Sequence, residues 1–284
     1  MNPENSSIRN SPIHIGTQGW NYDGWVGPFY PRGTRAGDYL DLYVKAFETV
    51  EIDSTFYAVP SANSIQSWRT RAPEGFTYSL KLTQEITHQN RLVESAEVLA
   101  RFCERARELG DKLAVILIQM PPDFSPRAFS ALEKFLPLLP GDLRFALEFR
   151  DRAWLTKEVG EPTLRLLNDH RVALALTDSK WIPREIMFRL IERLEKWAIT
   201  DFAYVRWLGP RELTDYSRVQ INRDQELAQW AAAFARLCQH VGQVYGYFNN
   251  HFQGHSPASS RQFKKLIGLP VVEPETLIAQ PGLF

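Results

Sequence analysis

Eight short stretches with strand character alternate with helix-like stretches along this chain, and no two of the strands follow each other directly. That order restricts the fold more than any other feature. Strands are expected at 13–19, 49–55, 77–83, 113–120, 144–150, 172–178, 202–209 and 244–250. Helical segments are expected at 38–47, between Ser61 and Pro73, at 91–109, after Ser125-Pro126, at 161–169, 183–197 and 224–241, and from Ser256-Pro257 onward. A strand followed by a helix and another strand needs a crossover connection, so the strands run parallel. Eight such units over roughly 255 residues predict an α/β fold, a single closed TIM-like (β/α)8 barrel. An open doubly wound sheet is the competing arrangement, but the glycines of GTQGW after the first strand lack the GxGxxG dinucleotide spacing. The expected organisation is a flexible tail at 1–12, one barrel domain at 13–270 and an irregular tail at 271–284. The 284 residues, 44% of them hydrophobic, suffice for one core of that size.

Strand side chains alternate between faces. In a barrel the bulkier apolar set faces the helices and the other set faces inward. In the stretch TVEIDST, Val50 and Ile52 then face out, while Glu51 and Asp53 face in. The same reading places Ser79 and Lys81 inside from the third strand, Leu117 and Gln119 from the fourth, and Ala146, Glu148 and Arg150 from the fifth. The seventh strand contributes Tyr204 and Arg206, and the eighth Tyr245, Tyr247 and Asn249. The polar members gather towards the C-terminal ends of the strands, where barrel enzymes carry their chemistry. Three acids, Glu51, Asp53 and Glu148, therefore share the mouth with three cations, Lys81, Arg150 and Arg206. Charges buried there without partners would be costly. Either they neutralise one another in a network that only closes the barrel, or they form an anion-binding acid/base site. His88, Asp178, Asn250 and His255 are placed to complete such a site.

At these residues the chain resembles the domain-of-unknown-function-72 family, also called YecE-like. The resemblance is carried by IGTQGWNYDGWVGPFYP, FETVEIDSTFYAVP, LKLTQEITH, QMPPDF, LEFRDRAW, YVRWLG and YFNNHFQGHSPASS, in the family's order from residue 13 to about 268. It implies a TIM-barrel-like fold and names no chemistry. The family's second motif often carries Asn where this chain has Asp53.

Other constellations are weaker. His251 and His255 have the i, i+4 spacing of a zinc pair, but Gly254 and Pro257 predict a loop there. Asp53, Glu148, His88 and Asp178 would suit a divalent metal, although the three cations compete for the same carboxylates. No G-x-S-x-G elbow or Walker loop occurs, and the two cysteines, Cys103 and Cys238, form no framework. The loop after the first strand, with Trp20, Tyr22, Trp25, Phe29 and Tyr30, either packs as a lid or offers a stacking wall for a sugar or base. The last loop brings Asn249, Asn250, Gly254, His255 and Ser256 to the start of a helix, where free N–H groups and the dipole favour phosphate. Plain capping by Ser256 is the alternative.

Thirty-three basic and 33 acidic residues cancel, so no global field drives nucleic-acid binding. The polar start and the absence of any long apolar run point to a cytoplasmic protein without a membrane span. The expected ligand is a small anion, a phosphorylated or carboxylated sugar- or nucleotide-like molecule. Glu148, Lys81, Glu51 and Asp53 form the expected catalytic set, with Glu148 as acid/base group. Arg150, Arg206, Asn249, Asn250, His88, Gly254, His255, Ser256 and Trp20 form the expected anion- and substrate-binding set. Arg206 is expected to contact the anion without supporting the fold. No cofactor is predicted. A metal-dependent phosphodiester hydrolase acting on nucleic acid and a non-catalytic binding barrel are the less favoured alternatives, and the sequence does not fix an oligomeric state.

Overall fold

A computed structural model describes residues 13–193, 200–210 and 212–277. The expected tail at 1–12, the end of the helix at 183–197, Arg211 and the final residues 278–284 lie outside these. The eight strands are β1 (Ile13–Gln18), β2 (Thr49–Ile52), β3 (Thr77–Lys81), β4 (Leu113–Gln119), β5 (Phe145–Glu148), β6 (Val172–Ser179), β7 (Phe202–Gly209) and β8 (Gln243–Phe248). Each pairs in parallel with the next, and β8 returns to β1 to close the barrel. The main helices are α1 (Tyr39–Ala46), α2 (Ala62–Arg71), α3 (Ala96–Arg107), α4 (Phe129–Phe135), α5 (Lys157–Asp169), α6 (Arg184–Ile191), α7 (Asp224–Leu237) and α8 (Ser256–Leu266). The protein is thus a single α/β domain of TIM-like architecture. No described helix is long and apolar enough to cross a membrane.

The alternation of side chains produces two separate packed layers. Val50, Ile52, Tyr78, Leu80, Ile116, Ile118, Phe145, Leu147, Val205 and Trp207 belong to the large outer core under the helices. Val115, Leu117, Ala146, Ala173, Ala175, Tyr204, Tyr245 and Tyr247 form a distinct cluster inside the barrel. β4 is apolar on both faces because it supplies both layers. The small alanines of β5 and β6 make room for the tyrosines of β7 and β8 across the lumen. Tyr247 is held there by hydrogen bonds to Thr49 Oγ1 and Ser79 Oγ, both 2.8 Å.

Local chemistry sets the element ends. Ser61 Oγ accepts from Ser64 N at 3.1 Å and caps α2. β2 is shorter than the 49–55 expected from sequence: it stops at Ile52, and Asp53 opens a 3-10 turn over Ser54–Phe56 with α-type angles (φ −76°, ψ −24°). The helix expected at 91–109 begins only at Ala96. Ahead of it, Glu85–Gln89 winds as a π-helical turn, and Arg91, Leu92 and Glu94 all adopt positive φ. Such angles are strained for these residue types. At the far end, residues 274–277 form a 3-10 turn that buries Leu277.

The aromatic loop after β1 packs. Trp25, Phe29 and Tyr30 are buried, Tyr30 stacks on Tyr39 with centroids 4.6 Å apart, and Trp25 meets Phe29 edge-on. Tyr43 from α1 donates to Thr49 O at 3.1 Å and accepts from Thr17 N at 3.0 Å, which pins the helix across β1 and β2.

Ile52 is 1% exposed and sits in the outer core. Ile52→Ala is therefore expected to lower the unfolding free energy by about 2–5 kcal/mol. Urea denaturation checks this, and an unchanged midpoint would contradict the burial of β2.

Candidate functional site

Arg206 lies at the centre of the mouth, 1% exposed. Parallel register places it beside Thr177 of β6 and Tyr247 of β8, while Glu51, next to last in β2, and Glu148, last in β5, lie across the lumen. Its Nε and Nη2 donate to the two oxygens of Glu51 at 2.9 and 2.6 Å, and its Nη1 donates to Glu148 Oε2. Tyr204 Oη donates a third bond to Glu51, 2.7 Å. Gln119 Nε2 and Arg150 Nε donate to Glu148 Oε1 at 3.1 and 2.9 Å. Every carboxylate oxygen of the two glutamates is thus occupied. Burial works against the ionised form of Glu148, but Arg206 and Arg150 outweigh it and hold its carboxyl at about 2. Burial, with Asp53 nearby, pushes Glu51 upward in spite of Arg206. The sequence-based role of Arg206 as an anion ligand is corrected here. Three of its guanidinium N–H groups serve two buried carboxylates, and it fastens β7 to β2 and β5. Glu148, expected as the acid/base group, is likewise committed to two arginines and a glutamine.

Above this clamp the remaining charged groups are less constrained. Lys81 ends β3 and is 7% exposed. Its Nζ lies 3.9 Å from the centroid of Phe56, and among the described residues no carboxylate forms an ion pair with it. Burial, helped by Arg206 and Arg150, lowers its pKa to about 8 against the pull of Asp53. Asp53 is partly exposed. Its Oδ1 is buried without a hydrogen-bond partner, and its nearest cation is Arg206, 3.8 Å away. His88, on the π-helical turn, meets Phe56 edge-on with centroids 4.9 Å apart. Burial, then Lys81 and Arg150, lowers His88 to about 4. Arg150 lies over Trp181 at 4.1 Å.

Other expected site residues turn to different tasks. Trp20 packs against Trp68 and Tyr78 in the outer layer. Asp178 faces outward, because Thr177 is the β6 neighbour of inward Arg206; it accepts from Trp230 Nε1 at 2.9 Å. Asn249 caps a helical turn at Asn250–Gln253 through His251 N and donates to Gln18 at the rim. Asn250 is buried, and its Oδ1 accepts from Trp25 Nε1, Ser256 N and Ser256 Oγ. The phosphate cradle expected at the start of α8 is absent for that reason. Ser256 N is taken by Asn250, Pro257 has none, and Ala258 N and Ser259 N both bond His255 O. Gly254 serves the backbone: φ is +113°, and a Cβ would lie 2.4 Å from Arg218 O. His255 is buried against Trp25, with Nδ1 2.8 Å from Tyr216 O. The metal set Asp53, Glu148, His88, Asp178 does not assemble, and no group of three such ligands gathers among the described residues.

Gln18, Phe56 and Trp181 belong to the mouth but were not among the expected site residues. Gln18 pairs in register with Glu51, and its Nε2 is buried without a partner; inward alternation from His14 along β1 would have found it. Phe56 and Trp181 sit in loops just past β2 and β6, where no periodicity marks them.

Fold and charge placement together define a TIM-type barrel with a polar site at the C-terminal ends of its strands. The chain belongs to the family described as "Protein of unknown function DUF72", whose model matches residues 14–281. It is 28% identical to the UPF0759 protein YecE of Escherichia coli K12 over 231 residues, 77% of this chain and 82% of that protein. It is 26% identical to the UPF0759 protein YunF of Bacillus subtilis, covering 90% and 95% of the two chains. A crystal structure of a DUF72 family protein from Thermotoga maritima superposes with a TM-score of 0.73 at 23% identity, covering 90% of this chain and 99% of that one. One from Enterococcus faecalis gives 0.74 at 21%, covering 92% and 97%. These structures share the fold.

Arg206→Met would leave Glu51 and Glu148 buried without their shared cation. The expected loss is about 3–5 kcal/mol of stability, measured by urea unfolding; a neutral substitution would show that the clamp is not structural. The acid limb has a definite sign. Glu148 is held at about 2 against an ordinary 4.5, so its ionised form contributes fully above the unfolded value and the contribution fades as pH falls towards 2. The stability difference between the wild type and Glu148→Gln should be largest above pH 4.5 and shrink with acid over that window.

Proposed function

We propose that this barrel is an enzyme that acts by acid–base chemistry on a small anionic substrate, with Lys81 as the group that moves the proton. The observation that carries this reading is the division of charge at the mouth. Glu51, Glu148, Arg206 and Arg150 neutralise one another in a closed hydrogen-bonded network. Among the described residues Lys81 forms no ion pair, and Asp53 has only Arg206 at 3.8 Å, at the end of the barrel where substrates are bound. A lysine near 8 exchanges its proton close to neutral pH, which suits a general acid or base.

The surroundings favour an anion. Burial lowers His88 most, and the charges of Lys81 and Arg150 lower it further. The faces of Phe56 and Trp181 already hold Lys81 and Arg150, and they give a small ring or carbon chain an apolar surface. His88 Nδ1 lies 2.8 Å from Thr87 Oγ1, whose own proton is directed to Thr83 O at 3.1 Å. In that arrangement Nδ1 donates, and Nε2 is left as a hydrogen-bond acceptor.

The test is a thermal-shift panel of phosphorylated and carboxylated sugars and short acids, run on the wild type and on Lys81→Met. Methionine keeps the apolar stem against Phe56. At least one compound should raise the melting temperature of the wild type. Its affinity should fall roughly ten- to a hundredfold in the variant, the loss of a charge-assisted contact of about 1.5–3 kcal/mol. Full retention of binding in Lys81→Met, or no stabilisation by any member, would defeat the proposal.

A further inference from the structure

The setting that suits Lys81 to proton transfer suits it equally to nucleophilic attack. Among the described residues no carboxylate forms an ion pair with it. Glu51 and Glu148 are saturated by Arg206, Arg150, Tyr204 and Gln119, and the amine rests on the ring of Phe56 instead. A buried amine with nearby arginines and no close counter-ion is in the environment that favours its neutral, nucleophilic form. Other nucleophiles are engaged or distant. The hydroxyl of Ser79 bonds Tyr247, and Cys103 and Cys238 are buried in the outer core.

Two further features fit nucleophilic chemistry. Asp53 Oδ1 is buried, carries no hydrogen bond and belongs to a residue close enough to influence Lys81 electrostatically. His88 is carried by a π-helical turn, and the three positive-φ residues Arg91, Leu92 and Glu94 follow it. Both π turns and clustered backbone strain are concentrated where a fold is constrained by function.

We propose that Lys81 is a covalent nucleophile that condenses with the carbonyl group of a small aldehyde, ketone or 2-oxo acid to form an imine. This rests on the reading of Lys81 as the reactive group of the mouth. The neutral amine gives its lone pair to the carbonyl carbon while the C=O π pair moves to oxygen. The nitrogen then releases a proton to Asp53, and the alkoxide oxygen takes up a proton to give the neutral carbinolamine. Its hydroxyl takes up a second proton and leaves as water as the nitrogen lone pair closes the C=N bond. Amine, carbonyl and one proton thus become an iminium and one water, no electron is gained or lost, and the iminium so formed acidifies the neighbouring carbon.

Reductive trapping tests the step. The full-length protein is incubated with pyruvate, and separately with glyceraldehyde 3-phosphate, in the presence of sodium cyanoborohydride at neutral pH. Adducts are located by peptide mass mapping, with exposed Lys180 as the internal control. At pH 7 a lysine near 8 holds on the order of a hundredfold more neutral amine than an ordinary one. At least one probe should therefore label Lys81 more than tenfold faster than Lys180, with saturation. The adduct should be absent from both Lys81→Met and Lys81→Arg, and slower to form in Asp53→Asn. Equal labelling of Lys81 and Lys180, or no adduct at Lys81, overturns the imine. The two readings separate cleanly: a ligand-induced thermal shift lost in Lys81→Met without any reducible adduct removes the imine and keeps the acid–base enzyme. Absence of both removes both.

Discussion

Arg206 holds Glu51 and Glu148 together in the middle of the barrel, and the rest of the mouth is arranged around that clamp. The three residues end or approach the ends of β7, β2 and β5, so one guanidinium ties together strands that are not neighbours in the sheet. A planar five-donor group suits this position, since it can serve one carboxylate with two parallel bonds and turn its third nitrogen to another. Tyr204, Gln119 and Arg150 add the remaining hydrogen bonds, so every carboxylate oxygen of the two buried glutamates has a donor. Below them the alanine–tyrosine packing of the lumen follows from the same alternation that delivers the charges.

The clamp also decides what the remaining charges can do. Because it absorbs two carboxylates and Arg206, and draws in Arg150, it removes the natural counter-ions from the neighbourhood of Lys81. Burial, with Arg206 and Arg150 nearby, then disfavours protonation of the lysine, and Asp53 and Glu51 support it. The structural and functional readings of the six charges are therefore not alternatives. Four build the wall, and their mutual neutralisation creates the unusual setting of the fifth.

The fold was legible because strand–helix alternation and inward–outward parity are periodic properties. Glu51, Lys81, Glu148 and Arg206 were placed on the lumen by counting in twos, and the two packed layers follow that count. On β1 and β6 the same count puts Gln18 on the lumen and Asp178 on the outer face. Residues beyond the strand ends follow no period. Asp53 turns with a 3-10 step, Phe56 and Trp181 reach the site through loops, and Trp20 folds back over Trp68. At the start of α8, a serine, a proline and a preceding glycine read equally well as an anion cradle or a capped helix. The deciding feature, Asn250 Oδ1 occupying the first N–H, depends on a contact to Trp25 from the opposite end of the chain.

That last contact, like the clamp, joins distant parts of the polypeptide, with consequences for how the protein is made. Glu51 leaves the ribosome 155 positions before Arg206, an interval on the order of ten seconds or more at ordinary synthesis rates. Throughout it, Glu51 lacks the guanidinium that binds it in the finished barrel, and β1 lacks the strand that pairs with it there, β8. The barrel cannot commit to its native centre until its seventh strand has emerged, nor close its seam until the eighth. The long-range pairing that gives the finished mouth its character thus also leaves the growing chain with an open sheet edge until its eighth strand emerges.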